Sequence, residues 1–95
     1  MTPRQFQLYN NYPNPFNPAT TISYDLPISA PVKVDVLNIL GQHVRTLVDE
    51  TQSAGHYEVV WDSKDNQGRT VTSGVYIYRI TTGDFTNSKK MVLLK

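Results

Sequence analysis

Proton transfer or metal binding near neutral pH would fall first to His43 and His56, the two histidines of this 95-residue chain. Neither has a partner at useful spacing. No His-x-x-x-His or Glu-x-x-His surrounds them, so both read as surface or packing residues. Nucleophilic chemistry fares no better, because the chain has no cysteine and serines 23, 29, 53, 63, 73 and 88 include no Gly-x-Ser-x-Gly elbow. Glycines 41, 55, 68, 74 and 83 are too dispersed to cradle a phosphate and read better as turns. The chain is read as a non-enzyme that needs no cofactor.

Binding chemistry has three candidates. Asp62, Asp65 and Asn66 place on one loop the oxygens that calcium prefers, but Lys64 intrudes and the twelfth position counted from Asp62 is Ser73, where an EF-hand needs glutamate. The loop is read as a solvated β-turn with no metal assigned, calcium being the alternative. Tyr57, Trp61, Tyr76 and Tyr78 could stack on a sugar, yet their alternation and the needs of a small core favour packing, with Tyr78 left as the stacking alternative. Lys89, Lys90 and Lys95 are the only charged side chains after Asp84, a local charge of +3. Such lysines protect an edge strand from pairing, and they also offer a basic end to a partner. Over the whole chain 9 Lys+Arg stand against 8 Asp+Glu, a net +1, so nucleic acid is not the expected partner.

The elements that must carry these residues are strands. Thr20 to Leu26 alternates, with Ile22, Tyr24 and Leu26 on one face. Val32, Val34 and Val36 alternate after Pro31, and the pattern breaks at Leu37, ahead of a Leu40-Gly41-Gln42 turn. Val44 to Val48 is strand-like, and Asp49 to Gly55 reads as a polar connection. Tyr57, Val59 and Trp61 form the aromatic face of an expected central strand, closed by a loop in which Gly68 takes the left-handed position. Val75 to Ile80 is apolar on both faces, so its inner set stays open, Tyr76, Tyr78 and Ile80 being the wider one. Phe85 to Leu94 is the last strand, interrupted at Asn87-Ser88.

With a short Phe6 to Tyr9 segment, about seven strands result, and no helical period competes with them. The fold class is all-β, an immunoglobulin-like antiparallel β-sandwich, and residues 1–95 form a single domain. Between the first two strands runs Asn11-Tyr12-Pro13-Asn14-Pro15-Phe16-Asn17-Pro18. Its three prolines fix φ and exclude helix, leaving a rigid plug that holds Phe16 against one end of the sandwich. No apolar run approaches the roughly 20 residues of a membrane-spanning helix. Met1 reads as a start added to a piece of a longer protein, any export signal lying upstream.

Five blocks then occur in order: Tyr12-Pro13-Asn14-Pro15-Phe16-Asn17-Pro18, Leu40-Gly41-Gln42-x-Val44, Trp61-Asp62 with Asp65-x-x-Gly68, Ser73-Gly74-Val75-Tyr76-x-Tyr78-Arg79, and Lys89-Lys90-x-x-x-Leu94-Lys95. This series resembles the type A C-terminal sorting domain of proteins exported by the type IX secretion system. The related immunoglobulin-like domain of flagellar hook-capping proteins is similar through the glycine-tryptophan-tyrosine region. The resemblance implies a non-catalytic export signal. The outer-membrane translocon recognises it in transit from the periplasm, and a sortase-like peptidase removes it at the cell surface, near or before Phe6 here. By position it assigns recognition to Gly74, Tyr76, Arg79, Lys89, Lys90, Leu94 and Lys95, and a structural role to the proline motif and Trp61. An N-terminal cargo domain, the translocon and the peptidase are the implied partners, with the domain itself a monomer or weak dimer. The alternatives are an uncleaved structural or cell-attachment module of a secreted enzyme and, third, a carbohydrate-binding module.

Overall fold

Alternating apolar residues sort themselves onto two facing sheets in this computed structural model, which describes residues 2–95. Met1, read above as an added start, lies outside the described residues. The strands are β1 (Gln7–Leu8), β2 (Thr20–Leu26), β3 (Ala30–Asn38), β4 (His43–Gln52), β5 (Gly55–Trp61), β6 (Gly74–Thr82) and β7 (Phe85–Leu93). One sheet has the order β1-β2-β5 and the other β4-β3-β6-β7, with antiparallel pairing throughout. The all-β, immunoglobulin-like sandwich expected from the sequence is the architecture found.

The two inner faces meet in a core that includes Ile22, Tyr24 and Leu26 from β2, Val32, Val34 and Val36 from β3, Trp61 from β5, and Met91 and Leu93 from β7. From β6 the inward set is Tyr76, Tyr78 and Ile80, which answers the question that the doubly apolar run left open. Trp61 is fully buried and lies edge-on to Tyr76 at 5.2 Å between ring centroids, while Phe16 meets its ring at 5.8 Å. Burying each such large side chain contributes about 1.5–3 kcal/mol.

Four expectations are corrected. β5 is an edge strand of its sheet and β2 the central one, because Trp61 is covered by the opposite sheet and not by a lateral neighbour. β4 continues through Asp49–Gln52, the stretch read as a connection. It pairs with β3 as far as Ala30↔Gln52, and as an edge strand it tolerates polar side chains. β3 likewise runs on through Leu37 and Asn38, with register shifts at Val34/Asp35 and Val36/Leu37 that absorb the break in its alternation. β7 is continuous across Asn87 and Ser88, which pair with Ile80 and Arg79.

Candidate functional site

Two of the blocks singled out in the sequence, the proline motif and the C-terminal one, meet at the end of β7. There the proline stretch folds back across the molecule and hydrogen-bonds to the C-terminal segment. The Phe16 amide donates to the Val92 carbonyl at 3.0 Å, the Leu94 amide donates to the Phe16 carbonyl at 3.0 Å, and the Val92 amide donates to Asn14 Oδ1 at 3.0 Å. Phe16 thus forms a parallel bridge with Leu93 while its ring enters the core. The loop is held at its base by Thr20 Oγ1 donating to the Pro13 carbonyl at 2.9 Å and by the Ser63 hydroxyl donating to the Pro18 carbonyl. The three X–Pro bonds are cis. Pro15 and Asn17 are exposed.

The residues assigned to recognition are spread over three directions. Gly74 pairs with Leu93, and Tyr76 is buried with its hydroxyl donating to the Thr72 carbonyl at 2.7 Å. Lys89 is opposite Tyr78 and so shares the inner-face side, half-buried at the edge, whereas Lys90 is opposite Ile77 and projects outward. Arg79 also faces out, 3.8 Å from Asp35. Leu94 is exposed. The Lys95 amide donates to Ser73 Oγ at 3.1 Å, and its ammonium donates to the Val71 carbonyl. The local +3 is therefore distributed around a β-edge and does not form a single basic cluster.

The Asp62–Gly68 loop performs the corresponding task on the other edge of the same sheet. Asn66 Oδ1 accepts from the Thr46 amide at 3.0 Å, and the Asn66 amide donates to the Val44 carbonyl at 3.1 Å, which closes the outer edge of β4. Asp65 Oδ1 accepts from the Gln67 amide at 2.9 Å and the Arg69 amide at 3.0 Å. The Arg69 amide is the largest cause holding the Asp65 carboxyl below its ordinary range. Asp62 Oδ1 accepts from the Lys64 amide and from Arg45. The oxygens considered for calcium are thus engaged with donors of the loop and of β4. Gly68 takes the expected left-handed conformation at φ 79°, and buried Ser63 adopts φ 65°, which glycine would enter more readily.

Of the four aromatics considered for sugar stacking, Trp61, Tyr76 and Tyr78 are buried, and Tyr57 stacks on Tyr24 at 5.5 Å. Tyr78, the stacking alternative, instead binds the segment leading from β1 into the proline loop: its hydroxyl donates to the Tyr9 carbonyl at 2.7 Å and accepts from the Asn11 amide at 2.9 Å. The histidines pair with carboxylates that the sequence reading had not connected to them, His43 with Asp35 at 3.1 Å and His56 with Asp25 at 2.6 Å. Asn14 and Asn66 had been singled out for other reasons, and their edge-capping role was missed. Their signal was their place in turn-forming loops, but their acceptors reach strands 78 and 20 residues away in sequence.

A family model described as "FlgD Ig-like domain" matches residues 14–84. No curated protein matches the chain. Among solved structures, dimeric latent PorU from Porphyromonas gingivalis superposes with a TM-score of 0.75 at 19% identity, over 92% of this chain and 9% of PorU. FlgD from P. aeruginosa gives 0.62 at 27% identity, over 78% of this chain and 58% of FlgD. PorZ from Porphyromonas gingivalis, described as an essential bacterial surface component of the type IX secretion system, gives 0.64 at 18% identity, over 93% of this chain and 11% of PorZ. The chain therefore spans less than two thirds of each of these proteins, and at 19% and 18% identity the likeness to PorU and PorZ is one of fold.

Proposed function

The chain belongs to the FlgD Ig-like domain family, and within it we propose that this domain is a non-catalytic C-terminal export signal read by the type IX outer-membrane translocon. The observation that carries the reading is the closure of the Tyr12–Pro18 stretch onto Val92 and Leu94, which joins the first and last of the family-like blocks in one structural unit. A signal that must survive transit through the periplasm benefits from a folded, protected end. The fold shared with PorZ, a surface component of that secretion system, is consistent with the same setting. The domain travels with an N-terminal cargo, reaches the cell surface or the medium, and is removed there by a sortase-like peptidase.

The test fuses residues 1–95 to a periplasmic reporter in hosts with and without the type IX translocon. Export only where the translocon is present is expected, and equal export in both hosts sinks the reading. Deleting Lys89 to Lys95 is expected to abolish export. That deletion also removes Met91 and Leu93 from the core, so the paired substitution Lys90→Glu with Lys95→Glu separates recognition from folding. The double variant is expected to fold normally and lose most export.

The family match also favours a second reading, an uncleaved immunoglobulin-like module that spaces or attaches its parent protein. Mass spectrometry of the secreted parent distinguishes the two. A retained domain supports the module, and a parent shortened by about this domain supports the signal.

A further inference from the structure

The outward face of the β3-β6-β7 surface is polar in one half and apolar in the other. Toward Thr81, the register brings together Lys33, Asp35, Arg79, Thr81, Thr86 and Ser88. Toward the chain end, Leu37 pairs with Ile77, and Val75 pairs with Val92. Leu94 continues this row with 54% of its surface exposed, and the β3–β4 turn adds Ile39, 67% exposed. Ile39 and Val75 line one shallow cavity of about 240 Å³ that joins the turn to the start of β6. A solvated sheet face normally alternates to polar residues. The outer face of the other sheet does so, carrying Thr21, Ser23, Asp25, His56 and Glu58 with Val60 as the apolar exception. Apolar patches rimmed by charge mark interaction surfaces more often than scattered exposed residues do.

Charge decides what fits. Lys90 stands beside Ile77 on this face. Among the described residues, the only acidic side chain that β3, β6 and β7 project on this side is Asp35, which is buried and paired with His43 and Arg79. We infer that Ile39, Val75, Ile77, Val92 and Leu94, with Lys90 at their rim, form a docking face for an extended protein segment whose aliphatic side chains are flanked by carboxylates. The assignment of that segment to the export machinery rests on the export-signal reading above; the face itself does not.

The face is tested by following amide NMR signals of the chain as a synthetic peptide of alternating valine and glutamate is added, beside its valine–glutamine analogue. Shifts confined to residues 75–77, 90–94 and the β3–β4 turn, with at least tenfold weaker binding by the neutral analogue, are expected. Val75→Glu, outward and partly exposed, should abolish them, whereas Val60→Glu on the opposite sheet should not. Shifts elsewhere, equal binding of the neutral peptide, or self-association through this face overturns the inference. So does protection of the face by anionic lipid vesicles in the absence of peptide binding. A second measurement exports the reporter fusion carrying Val75→Glu with Lys90→Glu, after circular dichroism shows that it is folded. If the wild-type fusion is exported and this variant is exported equally, the machinery does not use the face and the export reading stands. If the wild-type fusion is not exported, the export reading falls and the peptide titration alone decides the face.

Discussion

Tyr24 sits with its ring in the core and its hydroxyl at the rim, donating to Gln52 Oε1 across the mouth of the sandwich. Burial, which disfavours the phenolate, raises its pKa from 10.0 to about 12, and burial raises that of Tyr78 as well. The sign for stability follows. Unfolded tyrosines lose their protons near pH 10 while the folded ones hold them, so this contribution is fully present below pH 10 and is lost as the pH rises toward about 12. Urea midpoints are expected to be level from neutral pH to about 9.5 and to fall over the next two units. Tyr24→Phe should flatten part of that fall, and an unchanged alkaline slope in the variant would show that another group is responsible.

At the scale of the elements, the β4-β3-β6-β7 sheet protects its two outer edges by the same means. A loop supplies an asparagine whose side-chain oxygen accepts a strand amide and whose neighbourhood supplies backbone partners, Asn14 against Val92 and Asn66 against Thr46. Unpaired edges template aggregation, and a lysine turned toward the inner side, as Lys89 is, discourages what the loops leave open. Each capping bond is worth about 0.5–1.5 kcal/mol net. Asn14→Ala is expected to speed hydrogen exchange at the Val92 amide by up to about tenfold without affecting Thr46, and Asn66→Ala should do the reverse. Equal acceleration at both amides in either variant would mean that the loops are not independent edge covers.

For the whole molecule, Trp61 is the residue on which both sheets and the proline loop close. Its ring meets Phe16 and Tyr76, and its indole N–H donates to the Lys64 carbonyl at 2.9 Å, so the Asp62–Gly68 loop is fixed by the same side chain. Trp61→Ala is expected to cost about 3–5 kcal/mol, a large share of the roughly 5–15 kcal/mol that holds a domain of this kind together. Denaturation in urea measures it, and a loss below about 1 kcal/mol would show that the core repacks around the gap.

Much of this molecule was legible in the order of its residues. The two-residue period of Ile22-Tyr24-Leu26 and Val32-Val34-Val36 determined strands and their inner faces, because side chains of a strand point alternately to opposite sides. The aromatic blocks determined which residues a small core would need. Edges were not legible, since the sequence of β5 reads the same whether or not a strand lies beside it, and polar Asp49–Gln52 belongs in a strand only because β3 pairs with it. The same limit applies to the site. The proline motif and the basic end stand at opposite ends of the sequence, and only the long-range pairing of Phe16 with Val92 and Leu94 made them one structure. The apolar half of the outer face is likewise assembled from β3, β6 and β7, whose proximity depends on cross-strand register and not on any local pattern.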